Sequence, residues 1–248
     1  MRIKFIGCRV LSREIAYISY NSAHIIEADF LRQGLHNVPE KLNLMLQQEI
    51  DKINNNSECI GGELPHVYDA VALGYGLCSN ALVGLKSGGQ TLVVPRVHDC
   101  ASLLLGSREA YQEFFDANSG GVYWYSNGWI ENTLMPSKER AELARIGYTE
   151  RFGEENADYL MEMEQSWLTK YKVCAYIGWD TLENGKHRNY TKMCADSLSW
   201  EFKELPGTDK LLRELIEGPW NEKYFLVVPP NSVIERKFDE DIICAAPV

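Results

Sequence analysis

Residues 69–106 read DAVALGYGLCSNALVGLKSGGQTLVVPRVHDCASLLLG, and this stretch decides the fold. It holds two short apolar runs, at 69–73 and 90–95, each flanked by glycine or proline. Continuous apolar runs of this length mark strands buried on both faces, which is the pattern of a parallel sheet. The turn after each run carries reactive residue types. Gly74-Tyr75-Gly76-Leu77-Cys78-Ser79-Asn80 follows the first, and Arg96-Val97-His98-Asp99-Cys100 follows the second. Open α/β sheets bind ligands outside the carboxyl ends of their strands. Two thiols, an imidazole, a carboxylate and a guanidinium therefore fall where such a fold keeps its site.

The chain on either side fits the same scheme. A strand is predicted at 3–6 with Gly7-Cys8 as its turn, then a helix at 11–20 with Ser12 as N-cap. A strand at 23–30 and an amphipathic helix at 39–54 follow, then a polar turn at 54–62. A short helix is expected to end at residue 85, and another to run through Phe115. Repeated βαβα means parallel strands joined by right-handed crossovers. Beyond Gly120-Gly121, strands are predicted at 122–129, 172–177, 200–205 and 224–228. The 122–129 strand ends in an aromatic turn; helices are predicted at 180–197 and 209–217, and a long helical stretch over 136–171 breaks near Gly147 and Gly153. Phe5-Ile6-Gly7-Cys8 can be laid over Tyr176-Ile177-Gly178-Trp179, a faint internal repeat. The expected fold is α/β, Rossmann-like, with doubly wound parallel sheets in two similar lobes around a cleft. Residues 1–120 form the lobe with the Cys/His loops, and 121–248 form a second lobe with a helical insertion. Clefts between lobes favour small-molecule sites.

Composition narrows the function. The 248 residues are 45% hydrophobic, enough for a sizeable core, and carry a formal net charge of −10. With no basic stripe, nucleic acid and membrane surfaces are not expected partners. No apolar run approaches the ~20 residues of a membrane span, and the N-terminus reads as a strand instead of a signal peptide. Seven cysteines without a small-scaffold pattern point to a reducing, cytoplasmic setting.

Cys8, Cys78, His98 and Cys100 all fall at or just past strand ends, so the topology can gather them on one edge. Thiolates with an imidazole are ligands for zinc, for iron or for an iron–sulfur cluster. The bland alternative, with no cofactor, is that Cys8 and Cys78 are small buried apolar residues. A metal-free alternative makes Cys78 or Cys100 a nucleophile, its pKa lowered by a helix N-terminus, Arg96 and His98. Gly74-x-Gly76-x-x-Ser79 is a degenerate phosphate-loop pattern. It places Gly76, Ser79 and Asn80 beside a bound anion, with Arg96 or Arg108 as counter-charge. Asp99 is expected to orient His98. Trp129 and Trp179 form either an aromatic wall for a methylated ligand or part of the core. Cys59, Cys174, Cys194 and Cys244 are assigned to structure, and His24, His36, His66 and His187 to structure or surface.

The two loop motifs, together with Leu103-Leu104-Leu105-Gly106-Ser107 and Gly128-Trp129-Ile130, resemble an uncharacterised domain-of-unknown-function family of anaerobic bacteria and methanogenic archaea. Genes of that family often lie near corrinoid-dependent methyltransferases, so the resemblance implies one-carbon or thiol chemistry. It supplies no catalytic residues. The expected function is a zinc-dependent enzyme, a methyltransferase or lyase, acting on a small methylated or thiol-bearing substrate. The alternative is a non-catalytic accessory protein that carries a ligand, metal or cofactor, with a corrinoid protein or methyltransferase as partner.

Overall fold

The computed structural model describes residues 1–55, 67–78 and 80–248. Cys59, His66, Ser79 and residues 56–62 of the expected polar turn lie outside the described residues. The chain forms two compact units, one of Met1–Arg108 with Thr208–Val248 and one of Glu109–Gly207.

The first unit opens with β1 (Arg2–Cys8), α1 (Ser12–Asn21), β2 (Ile25–Leu31), α2 (Pro39–Asn55), β3 (Ala70–Gly74), β4 (Leu92–Pro95) and α3 (Cys100–Leu105). These four strands lie in the order β2-β1-β3-β4, all parallel. Ile3, Phe5 and Ile6 of β1, all of Ala70–Leu73, and Leu92, Val93 and Val94 are fully buried. Burying each large aliphatic or aromatic side chain contributes about 1.5–3 kcal/mol. The outer strand β2 is polar instead: Glu27 and Asp29 pair with Arg2 and Lys4 of β1 at 2.7 and 2.8 Å. Charges on an edge strand discourage further strands from adding there. After β2 the chain recrosses β1 to lay down β3, so strand order reverses between β1 and β3. In open α/β sheets, ligands bind at the carboxyl ends beside such a reversal.

Two predicted helices differ from expectation. The short helix ending at residue 85 is a run of turns from Asn80 to Gly84. Asn80 (φ 68°) and Gly84 (φ 87°) are left-handed, which interrupts an α-turn. The Asn43 side chain of α2 donates to the Ala81 and Val83 carbonyls at 2.8 and 2.9 Å, so they need no helical partner. The helix expected through Phe115 is split at Gly106, a left-handed C-cap (φ 71°).

The second unit holds α4 (Arg108–Ala117, starting at the unit boundary), β5 (Val122–Ser126), α5 (Asn127–Asn132), α6 (Lys138–Phe152) and α7 (Glu154–Leu168). It is completed by β6 (Val173–Gly178), α8 (Gly185–Leu198) and β7 (Glu201–Pro206). Its sheet is β5-β6-β7, parallel and in sequence order. Tyr125, Tyr176, Cys174, Cys194, Met135 and Ala195 form its buried core. Burial there pushes the Cys174 thiol up to about 12. The aromatic turn expected to end β5 is instead α5, with the Ser126 hydroxyl accepting from Trp129 N at 3.3 Å. Gly153 (φ 79°) separates α6 from α7, whereas Gly147 stays inside α6.

The chain then returns to the first unit with α9 (Lys210–Glu217), β8 (Phe225–Val228), β9 (Ser232–Arg236) and β10 (Ile243–Pro247). The segment expected to continue a lobe over 121–248 thus belongs, from Thr208 on, with the thiol loops. Phe225-Leu226-Val227-Val228 pairs antiparallel with β4 and covers an edge that would otherwise be apolar. Leu211, Leu212, Leu215 and Ile216 of α9 are buried, and the helix packs on β3 and β4. β9 and β10 form a separate antiparallel pair.

Candidate functional site

Three strand ends meet at the reversal. Cys8 is the last residue of β1, Gly74 ends β3, and Pro95 ends β4. The loops after β3 and β4 stay zipped: Leu77 N donates to Val97 O at 2.8 Å and Cys78 N to His98 O at 3.1 Å. This approach needs glycine at 76, because a Cβ there would sit 2.6–2.8 Å from Asp99 N, Asp99 Cα and His98 C. Asp99 then starts α3, its Oδ1 accepting from Ala101 N at 2.9 Å and Ser102 N at 3.3 Å. Cys100 becomes the first residue of that helix. Cys78 is held at φ 44°, a left-handed conformation that a non-glycine residue adopts at a cost of about 1–3 kcal/mol.

The consequence is a row of three thiols. The Cys100 side chain neighbours those of both Cys8 and Cys78. Cys8 and Cys78 are buried, at 6% and 9% exposure, and Cys100 is half-buried. The bond from Cys100 and then burial raise the Cys8 pKa, against the backbone N–H groups of Val10 and Arg9. Cys100 is raised too, first by its bond with Cys78. Of the two thiols considered from sequence as a nucleophile, Cys78 and Cys100, the surroundings of Cys100 move its pKa up instead of down. Among the described residues, no three His, Cys, Asp or Glu side chains are already disposed around a single point as ligands of one ion.

Tyr75 lies on the same loop as Cys78. Its ring is 3% exposed, and its hydroxyl has no hydrogen-bond partner among the described residues. Burial raises its pKa first, and the charges of Cys8, Cys100 and Cys78 raise it further.

The other predicted residues divide. His98 is exposed, and the contact it makes with the Cys78 loop is through its carbonyl. Asp99 caps α3. Arg96 is 8% exposed and spends its guanidinium on backbone carbonyls: Nε donates to Glu222 O at 2.9 Å, and Nη1 to Asp241 O at 2.7 Å and to Ile243 O. It ties β4 to the returning C-terminal segment. Arg108 donates to Glu240 O at 2.9 Å. Asn80 is exposed at a turn. Trp129 and Trp179 belong to the second unit, where Trp179 is 3% exposed and Trp129 packs on the core around Tyr125. The carboxyl ends of β5 and β6 carry a satisfied polar network. Tyr176 Oη donates to Asn127 Oδ1 at 2.5 Å, and Asn127 Nδ2 donates to Glu183 O at 3.0 Å and Asn184 Oδ1 at 3.1 Å.

A family model described as "Protein of unknown function (DUF1638)" matches residues 30–216. The chain belongs to the DUF1638 family. Comparison with curated proteins and with solved structures finds no match. The region matched in this DUF1638 protein includes Tyr75, Cys78 and Cys100, while Cys8 precedes it. No helix among the described residues is long and apolar enough to cross a membrane. Tyr75, buried on the loop that carries Cys78, is a residue that sequence reasoning did not single out. Its signal was present, a tyrosine between two glycines at a strand end, but an apolar ring there reads equally well as packing.

Proposed function

We propose that Cys8, Cys78 and Cys100 are the working centre and act as a thiolate donor set for one soft metal ion, zinc in the first instance. The observation that carries this reading is that one thiol, Cys100, contacts both others at the point where strand order reverses. Three sulfurs from three separate strand ends are a costly coincidence for packing alone, and thiolates favour zinc and other soft ions. Because the thiols stand in a row, binding requires their side-chain torsions to change so that the sulfurs converge. His98, exposed at the rim, is available as a fourth donor. When bound, the ion supplies Lewis acidity and activates a coordinated thiolate or water. The substrate class proposed is a small methylated or thiol-bearing molecule of anaerobic one-carbon metabolism.

The burial of Cys8 and Cys78 favours one second reading, in which the protein holds a metal or cofactor for a methyltransferase partner without turning over substrate itself.

Elemental analysis of anaerobically purified protein, with melting temperatures of the same samples, tests the centre. One equivalent of metal is expected in the wild type. Cys78→Ser and Cys100→Ser should each lower that content and the melting temperature, because binding to a folded site also stabilises the fold. Full occupancy in both variants would exclude these thiols as ligands.

A further inference from the structure

Two cysteines can be bridged only where the backbone already brings them together, with Cα atoms about 4.4–6.8 Å apart. The loops after β3 and β4 touch on both sides of Cys78. Leu77 N and Cys78 N donate to Val97 O and His98 O at 2.8 and 3.1 Å, so residue 78 runs alongside residue 98. Two positions earlier, the missing side chain of Gly76 admits Asp99, whose nitrogen would stand 2.6 Å from a Cβ there. Cys100 follows Asp99 directly, and its side chain neighbours that of Cys78. Both are free thiols, Cys78 buried and Cys100 half-buried. The third thiol, Cys8, is held differently. It closes β1 in register with Leu31 of β2, and the backbone N–H groups of Val10 and Arg9 lie against its sulfur. A strand fixes Cys8, whereas Cys78 sits in a loop at φ 44°, a strained conformation with little to keep it from adjusting.

We propose that Cys78 and Cys100 are a thiol–disulfide exchange pair, a modification site that a low-molecular-weight disulfide converts into a Cys78–Cys100 bond. The proposal does not rest on the metal reading above; it needs only the two neighbouring thiols. Exchange proceeds by thiolate attack through a mixed disulfide. The Cys100 thiolate attacks one sulfur of R–S–S–R, forming Cys100–S–S–R and expelling RS⁻, which takes up the proton that Cys100 released. Cys78 then gives up its proton and attacks the Cys100 sulfur. The bond to R breaks, and the second RS⁻ leaves with that proton. Two protein thiols are oxidised, and one small disulfide is reduced to two thiols. Burial assigns the two roles. Half-buried Cys100 meets the incoming disulfide, and buried Cys78 meets only the mixed disulfide beside it. The neighbouring Cys78 side chain, with burial, holds the Cys100 thiol above its ordinary pKa, which keeps the first step slow at neutral pH.

The experiment uses the full chain, reduced, treated with a chelator and freed of reductant. It is incubated with 2-hydroxyethyl disulfide at mildly alkaline pH, quenched with acid and mapped by tandem mass spectrometry. The wild type should yield a Cys78–Cys100 cross-link with no adduct retained on either residue. Cys78→Ser should instead keep the adduct on Cys100 as a lasting mixed disulfide. Cys100→Ser should leave Cys78 reduced over the same time, and Cys8→Ser should form the cross-link as the wild type does. The oxidised wild type should melt at a higher temperature than the reduced one, because the bond constrains the 78–100 loop in the unfolded chain. Dithiothreitol should restore the lower value. In the wild type, a lasting adduct on Cys100, or a Cys8–Cys100 cross-link in place of the expected one, would overturn the proposal. So would a folded wild type in which Cys78 and Cys100 both stay reduced. An oxidised protein that melts below the reduced one would show that the two residues are not disposed for bridging, which also overturns it. If a serine variant fails to fold, the wild-type map and the two wild-type melting temperatures decide the proposal by themselves.

Discussion

At the scale of single residues, chemistry was easier to list from sequence than to assign. Cys78 and Cys100 were legible because each follows an apolar run by a few positions, and strand ends are where α/β folds place ligands. Arg96 was misleading for the same reason. A cation at a strand end suits an anion, but this one is 8% exposed and is engaged by the carbonyls of Glu222, Asp241 and Ile243. Those partners lie far along the chain, and no local pattern reveals them. Arg96→Met should therefore lower the melting temperature, because each carbonyl left buried and unsatisfied costs about 1–3 kcal/mol. Metal content per folded molecule should be unchanged. Calorimetry and elemental analysis on the same variant check this. An unaltered melting temperature would return Arg96 to the list of ligand-binding residues.

At the scale of elements, β3 and β4 were readable because burial on both faces removes the polar alternation and leaves an apolar run. The segment after Cys78 was not readable as a turn. Its composition, Ala81-Leu82-Val83, is compatible with helix, and what decides against one is the Asn43 side chain reaching over from α2. The glycines show how tightly the strand ends are fitted. Gly7 and Gly74 face each other in the β1–β3 ladder, and a Cβ on either would run into the Phe5 ring. Phe5 itself is fully buried, so the ring cannot swing away into solvent. Gly74→Ala should destabilise the protein by about 1–3 kcal/mol through overpacking. The paired change Phe5→Leu with Gly74→Ala should recover part of that loss, since the shorter side chain vacates the space. Denaturant unfolding of the single and double variants measures the coupling. Strict additivity would mean that the ring is not the obstacle.

At the scale of the whole molecule, the decisive feature is that the unit carrying the thiols is discontinuous in sequence. Its first strands occupy Met1–Arg108, but its last strand and a covering helix arrive only after Gly207. Reading in chain order assigned β8 to the unit nearest in sequence, because nothing within Phe225-Leu226-Val227-Val228 says which apolar edge it will join. Only the unfilled edge of β4 settles that. The dependence is large. Leu211, Leu212, Leu215 and Ile216 of α9, with Phe225, Leu226 and Val228 of β8, are all buried. At about 1.5–3 kcal/mol for each large side chain, their combined burial rivals the 5–15 kcal/mol by which a whole domain is stable. Arg96 would also lose the carbonyls it holds. A chain ending at Gly207 should therefore fail to form the β2-β1-β3-β4 sheet, and with it the thiol centre. The second unit, which lies wholly within Glu109–Gly207 and has its own core around Tyr125 and Tyr176, should keep its strands. Hydrogen exchange on the truncated chain distinguishes the two regions. Protection is expected in β5, β6 and β7 and none in β1, β3 and β4. Full protection of β1 and β3 in that chain, or Co(II) uptake equal to the wild type, would show that the first 108 residues fold without the returning segment.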